Sequence, residues 1–518
     1  MNVEVKCLIS SSCKSSNNNN NIKMCNKIID TEPLQNGCNV ESQVGAFRKG
    51  RRLIAQTLLT AIVTIVTASA GMPIGYSAIL LPQLKSINNS LQIDDEMGSW
   101  IASVHSAASP VGALLSGTLM DYFGRKMTLQ LSCVPLIAGW IFITTSHKHL
   151  LILIGRILAG AAVGVVAAPC QVYVAEMSNP KLRGMFSSIP FASYSFGILL
   201  VYMLGTAVHW RLVAGISIVL PIVAIIMFCF LPESPAWLVK KGRLEEAKKS
   251  CLWLSGGNVA EVKREMQQLV NRAENEKLRK NSNQQSFLSS EIIKPFVIVN
   301  LFGLFQSLSG VYVIVFYAVE IISTMKNSGL NEFHAAILTA GVRFTFAIVS
   351  SVLLAFTGRR TIALLSTVGT ALSALGLTVF LQTDCYNSTY LVLSFLILYV
   401  AANTIGLLIL PGVLVGELFP LSVRGIAGSI TFTIINLIIF SFAKVFPIMK
   451  SVMGIGNCFL FFGVTSIVAS IFLYVTLPET KNKSLNDIED YFMQDNMLWI
   501  TRNKKGRNNI CRSKTSSV

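Results

Sequence analysis

Glu176-Met-Ser-Asn-Pro-Lys-Leu-Arg183-Gly184 comes back later in the chain as Glu417-Leu-Phe-Pro-Leu-Ser-Val-Arg424-Gly425. In both copies the arginine stands seven residues after the glutamate. Both copies follow a glycine-basic turn, Gly124-Arg125-Lys126 in the first and Gly358-Arg359-Arg360 in the second. The glutamates are 241 residues apart and the glycines 234, and each copy lies between long apolar runs. A repeat of that period in such a chain predicts two related lobes of membrane helices with a solute site between them.

The apolar runs agree. Of 518 residues, 52% are apolar and 13% charged, against roughly 25% charged in a soluble domain. A crossing helix needs about 20 apolar residues. Runs of that kind begin near Leu53, Met97, Met127, Leu150, Met185 and Leu212, and again near Ile292, Phe333, Thr361, Tyr390, Gly425 and Gly456. The expected fold is an all-α membrane protein of twelve transmembrane helices in two six-helix pseudo-symmetric lobes. Residues 51–231 form the first lobe and 291–478 the second. A helical loop over 232–290 joins them, with tails at 1–50 and 479–518.

Charge sets the orientation. The net charge is +17, and Lys and Arg gather in the tails and in alternate loops. The stretch from Pro232 to Lys294 alone holds twelve. Cationic loops stay in the cytoplasm, so that loop and both termini are expected there. Nucleic-acid binding is not expected, because the charge forms no basic stripe on a soluble domain. Asn88 and Asn387 begin Asn-x-Ser/Thr sequons in loops expected outside, where they read as glycosylation sites. The eleven cysteines lack zinc-finger or disulfide-framework spacing. No Walker sequence, metal-ligand cluster or nucleophile–base constellation appears, so neither an enzyme, a cofactor nor a bound metal is expected. The partners implied are a small solute and the bilayer.

The repeated charges have a bland reading, since basic turns anchor topology in any membrane protein and exposed ion pairs are worth roughly 0–1 kcal/mol. The duplication favours a sharper one. Pairs made in one conformation and broken in another shift populations. Asp121, Arg125, Arg156, Glu176, Arg183, Arg359, Glu417 and Arg424 are the candidates for such a cytoplasmic gate.

At these residues the chain resembles the sugar-porter branch of the major facilitator superfamily. The Gly-Arg-Lys/Arg turns carry the resemblance, with Pro232-Glu-Ser-Pro-Ala-Trp237-Leu after the sixth run and Leu477-Pro-Glu-Thr-Lys-Asn-Lys-Ser-Leu485 after the twelfth. Arg156 in Gly155-Arg156-Ile-Leu-Ala-Gly160 matches as well. The likeness covers roughly Leu53 to Phe492 and runs toward insect-type facilitated trehalose and glucose transporters. It implies the major facilitator fold and alternating access by rocking lobes. It also implies a sugar site at mid-membrane in a plasma-membrane carrier. Solute contact is then expected from Gln306, Ser307, Tyr312, Tyr317, Asn403 and Thr404.

Several positions depart from the family pattern. The paired glutamines of the seventh run read Gln306-Ser307, and the asparagine is Tyr312. The pocket glutamine of the fifth run is Phe191, the Pro-Trp of the tenth is Pro411-Gly412, and a pocket asparagine of the eighth is Arg343. The acid expected three residues before Gly358 is Ala355. Gly412 is expected to leave room where a Trp ring would sit, and Arg343 reads either as a pocket or gate residue or as one snorkelling to the interface. Proton-coupled sugar porters carry an Asp after a Gly-Tyr pair on the first span. Here Gly75-Tyr76 is followed by Ser77, and no acid occurs between Leu53 and Leu84. Downhill uniport of glucose or trehalose is the expectation. A pocket reshaped for another polar solute, or a non-transporting sugar sensor, is the alternative.

Overall fold

The computed structural model describes residues 35–85, 91, 93–281, 290–313, 332–382, 389–420, 423–483 and 485–492. Every regular element among them is helical. In chain order they are α1 (Gln35–Lys85), α2 (Asp95–Phe123), α3 (Arg125–Thr144), α4 (His149–Met177), α5 (Arg183–Ala207), α6 (Trp210–Ser217) and α7 (Val219–Phe228). Then come α8 (Pro235–Lys240), α9 (Leu244–Leu254), α10 (Val259–Asn281), α11 (Ser290–Leu308), α12 (Glu332–Phe356) and α13 (Arg359–Gln382). Last are α14 (Thr389–Ile405), α15 (Leu410–Leu418), α16 (Arg424–Thr476) and α17 (Leu485–Phe492).

Ten segments among the described residues are long and apolar enough to cross a bilayer. The helix pairs α6/α7 and α14/α15 each make one of these, and α16 supplies two, Arg424–Phe446 and Ile448–Thr476. At about 1.5 Å per residue a straight α16 would far outrun a hydrocarbon core of about 30 Å. The chain turns back at Gly454, where φ is 78°, a backbone region that a side chain resists. Two further helices complete six in each half. One is α11, whose apolar part is Ile292–Leu308. The other is α2, 29 residues long, whose His105, Ser106 and Ser109 lower its apolarity because they face an internal cavity. The helix starts fall near the predicted ones, and the observed architecture is the expected two-lobed, twelve-helix bundle.

Lipid-facing helices gain no hydrophobic drive by packing on each other, so small residues and close backbones hold them. In the first lobe α2 lies against α4, where a Cβ on Gly164 would stand 2.1 Å from the Ser109 carbonyl oxygen. Ser109 donates across the same seam to the Gly160 carbonyl at 3.1 Å. The small residues at 160 and 164 are thus spent inside the lobe. Between lobes, α2 packs on α16 and α5 on α12. A buried apolar cluster bridges the halves, joining Ala113, Met120, Val172 and Ala192 of the first lobe to Leu410, Val413, Phe419 and Phe432 of the second.

The central segment is helical, as its charge spacing predicts. Trp237 and Leu238 of α8 and Ala247 of α9 pack with Met266 and Leu269 of α10. Trp237 Nε1 donates to the Asp121 carbonyl at 3.1 Å, and Arg52 pairs with Glu261. The three-helix segment is thereby fastened under the first lobe. Tyr317, Asn88 and Asn387 lie outside the described residues.

Candidate functional site

A cavity of about 160 Å³ lies between the lobes. The first lobe contributes α1, α2, α4 and α5, and the second contributes α11, α12, α15 and α16 together with Tyr312 and Leu408. Its polar lining includes His105, Ser106, Gln171, Tyr194, Gln306, Tyr312, Arg343 and Asn436. Two of these polar groups have no protein partner: His105 Nε2 and Gln171 Oε1 are buried without a hydrogen bond. Buried polar atoms are otherwise almost always paired, so two such atoms on one cavity wall suit a polar guest. Gln306 holds its place by donating to the Leu408 carbonyl at 3.0 Å.

Of the residues predicted to touch solute, Gln306 and Tyr312 line this cavity. Ser307, Asn403 and Thr404 are buried but are not in its wall. Ser307 and Thr404 spend their hydroxyls on carbonyls one turn back, Gly303 at 3.1 Å and Val400 at 2.7 Å. Sequence reasoning missed His105, Gln171 and Asn436. The available signal was a lone polar side chain inside an otherwise apolar span.

Arg343 is 8% exposed and belongs to the cavity wall. Its Nη2 donates to the Val311 carbonyl at 2.7 Å, so the snorkelling alternative does not hold. Lys444, by contrast, is exposed and two residues from the end of its span. Gly412 does not leave room. The Phe191 ring of α5 occupies that space, and a Cβ on Gly412 would lie 2.2 Å from its Cζ. Two departures from the family pattern thus compensate each other, with the aromatic bulk carried by the opposite lobe.

A charge cluster closes one end of the bundle. Gln171 and Glu176 are both on α4, so the cluster begins about 7 Å beyond the cavity. Glu176 accepts a hydrogen bond from Arg125 of its own lobe, Nη2 to Oε1 at 3.2 Å, and its Oε2 stands 3.1 Å from the Arg125 Nε as an ion pair. It also faces Arg424 of the other lobe at 3.6 Å. Glu417 accepts from Arg359 at 2.8 Å. Each glutamate takes the arginine of the glycine-basic turn in its own lobe. Arg183 donates to the carbonyls of Ala175 at 3.1 Å and Lys483 at 3.5 Å. Asp121 stands 3.8 Å from Arg125 and against Gly425, where a Cβ would meet its Oδ1 at 2.8 Å. Its charge therefore sits by the N-terminus of α16, which favours an anion. In the second lobe Ala355 supplies no such charge, and the facing seam instead puts the Arg359 guanidinium against Gly184.

A second repeat, missed in the sequence, completes this cluster. Leu231-Pro-Glu-Ser234 and Leu477-Pro-Glu-Thr480 are equivalent. Glu233 caps α3, accepting from the N–H groups of Arg125 at 3.0 Å and Lys126 at 3.1 Å. Glu479 caps α13 in the same way through Arg359 at 3.0 Å and Arg360 at 3.3 Å. Ser234 then donates to Glu176, and Thr480 to Glu417 at 2.7 Å. Burial pushes the Glu233 carboxyl above its ordinary range, against the pull of the backbone donors from Ser234 and Lys126 and the charge of Arg125.

Arg156 is not part of that cluster. It lies 20 residues before Glu176 on the same helix, about 30 Å away, toward the other end. It donates to the Ile101 carbonyl at 3.2 Å, to the Pro73 carbonyl and to the Ser77 hydroxyl. Its expected place in the gate is therefore corrected: it ties α4 to α1 and α2. The misreading arose because the motif match carried no information on which end of the span the residue occupies.

Comparison with known proteins agrees with this geometry. The family described as "Sugar (and other) transporter" matches residues 59–492. The chain belongs to the sugar-porter branch of the major facilitator superfamily. This sugar transporter is 31% identical over 444 residues to a protein of Bombyx mori named facilitated trehalose transporter Tret1, covering 84% of this chain and 86% of that one. A protein of the same name from Polypedilum vanderplanki is 30% identical over 448 residues, covering 84% and 88%. Among solved structures, the proton:xylose symporter XylE bound to 6-bromo-6-deoxy-D-glucose superposes with a TM-score of 0.75 at 20% identity, covering 85% of this chain and all of that one. The inward-open conformation of XylE from E. coli gives 0.62 at 21% identity, covering 84% and 99%. The transporter is not an enzyme, and it spans the membrane many times.

Proposed function

We propose that this transporter is a facilitative uniporter of the plasma membrane that carries glucose or trehalose by alternating access. The observation that carries the reading is a polar cavity shared by both lobes, with interlocked ion pairs from both lobes beyond one end. A polyhydroxyl solute must exchange its hydration for protein groups, because each unpaired hydroxyl in an apolar setting costs several kcal/mol. Gln306, Tyr312, Gln171 and His105 supply such groups, from opposite lobes. Glu176, Arg125, Arg424, Arg359 and Glu417, with Asp121 and Arg183 beside them, form the inner gate. By loop charge this end faces the cytoplasm, as do both termini. The chain in this form has its inner gate closed.

Uniport is supported at Ser77. The position after Gly75-Tyr76 holds a hydroxyl bonded to Arg156, and Arg156 makes its other bonds to backbone carbonyls. Nothing in that contact set titrates near neutrality, so a proton relay has no first member there. The name of the insect relatives supports trehalose as solute.

Uptake of labelled trehalose and glucose into oocytes expressing the full chain, at two external pH values, tests the reading. Saturable, non-concentrative uptake insensitive to external pH is expected. Accumulation against a gradient that needs low outside pH would overturn uniport. Absence of flux and of sugar binding in surface-expressed protein would overturn transport.

A further inference from the structure

The cavity wall contains a guanidinium and, among the described residues, no carboxylate. Arg343 projects from α12 of the second lobe, opposite His105 and Gln171 of the first. One of its nitrogens is pinned by the Val311 carbonyl at 2.7 Å, and none of its nitrogens is sealed from the cavity without a partner. No ion pair to it exists among the described residues. Tyr194 and Tyr312 stand beside it in the wall, and Ile74, Val166 and Phe432 make much of the rest apolar. A permanent cation buried in such a place is costly unless a counter-charge joins it. A neutral sugar brings none, and is served already by Gln171 and Gln306.

We propose that this cavity accepts a polyhydroxyl solute bearing a carboxylate, a sugar acid, whose charge is bound by Arg343. The proposal deepens the reading of the cavity as the transport site and rests on it. The guanidinium fork matches a carboxylate with two parallel N–H···O bonds. Its single charge balances a monoanion, whereas a phosphate ester near its dianionic form would leave negative charge uncompensated in an apolar wall. Carrying a monoanion without a co-ion moves charge, so transport of this solute is electrogenic while that of glucose is not.

The test uses the full chain in voltage-clamped oocytes, with glucuronate, glucose, trehalose and glucose 6-phosphate as probes. Saturable glucuronate uptake with an outward current, and competition by glucuronate against labelled glucose, are expected. In Arg343→Gln the ratio of glucuronate to glucose uptake falls at least tenfold, while Arg343→Lys, which keeps the charge but not the fork, lowers it less than Arg343→Gln does. If glucose is carried and glucuronate is neither carried nor competes, the sugar-acid proposal fails and the transport reading stands. An unchanged ratio in Arg343→Gln, or preference for glucose 6-phosphate over glucuronate, also overturns it. If no probe is carried or bound by the wild-type chain, the transport reading fails as well. Should Arg343→Gln fail to reach the surface, competition and current in the wild type decide alone.

Discussion

Arg424 joins the two lobes through Glu176, and its removal should unlatch them. The two side chains are 3.6 Å apart and 2% and 1% exposed, so solvent screens the pair little. At an effective dielectric of about 20, two unit charges at that distance attract by about 5 kcal/mol before desolvation is counted. Much of that is offset by the cost of burying both groups. Glu176 also keeps Arg125 and Ser234 after the change, so it is not left unpaired. A net loss of about 1–3 kcal/mol for the inner-closed state follows, a shift of roughly 5–150-fold toward the inward-open state. Tyr122 and Phe356 are exposed ends of α2 and α12 on this face, at 72% and 74%. Spin labels at these two positions, in a cysteine-free background, read the separation of the lobes there. Arg424→Ala should move most of the population to the longer distance, and Glu176→Gln in the same chain should add less than its effect alone. A distance distribution that stays within twofold of the unmutated population ratio, in protein that remains folded, would refute the latch.

Three further outcomes are expected. Restoring the family aromatic with Gly412→Trp should collide with Phe191 and lower thermal stability by about 1–3 kcal/mol, and Phe191→Ala in the same chain should recover most of it; a loss that persists in the double variant counts against complementary packing. Glu233 has a raised carboxyl, so its contribution to this folded arrangement is full below the ordinary glutamate value of about 4.3 and is lost as pH rises through its raised value. The melting temperature of Glu233→Gln, compared with wild type across that window, should show a flatter pH slope; equal slopes would deny the role of burial at that carboxyl. Gly164→Val should separate α2 from α4, since even a Cβ meets the Ser109 carbonyl oxygen at 2.1 Å; a melting temperature equal to wild type would mean that the seam relaxes freely.

The charges at the two seams between the lobes differ. Asp121 stands against Gly425 where α2 meets α16, whereas Ala355 supplies no matching charge where α12 meets α5, and the Arg359 guanidinium lies against Gly184 instead.

Helix number, span starts and the two-lobed plan were legible in the chain, because a bilayer demands apolar runs of a set length and a repeated motif survives as repeated letters. The glycine-basic turns, the helical central loop and the missing acid after Tyr76 were legible for the same reason: each is a local fact. What the tertiary structure decided is which side chains meet. Glu176 takes Arg125 and Arg424 rather than the nearby Arg183, because the turn arginine and the facing lobe reach it while Arg183 is spent on carbonyls. Arg156 goes to the opposite end of α4, since helical rise separates residues that a motif search treats alike. Phe191 and Gly412 compensate each other across the lobes, 221 positions apart in the sequence, and Arg343 enters the cavity instead of the interface. Those outcomes depend on the distance between helices that are remote in the chain, and hydropathy and spacing carry no measure of it.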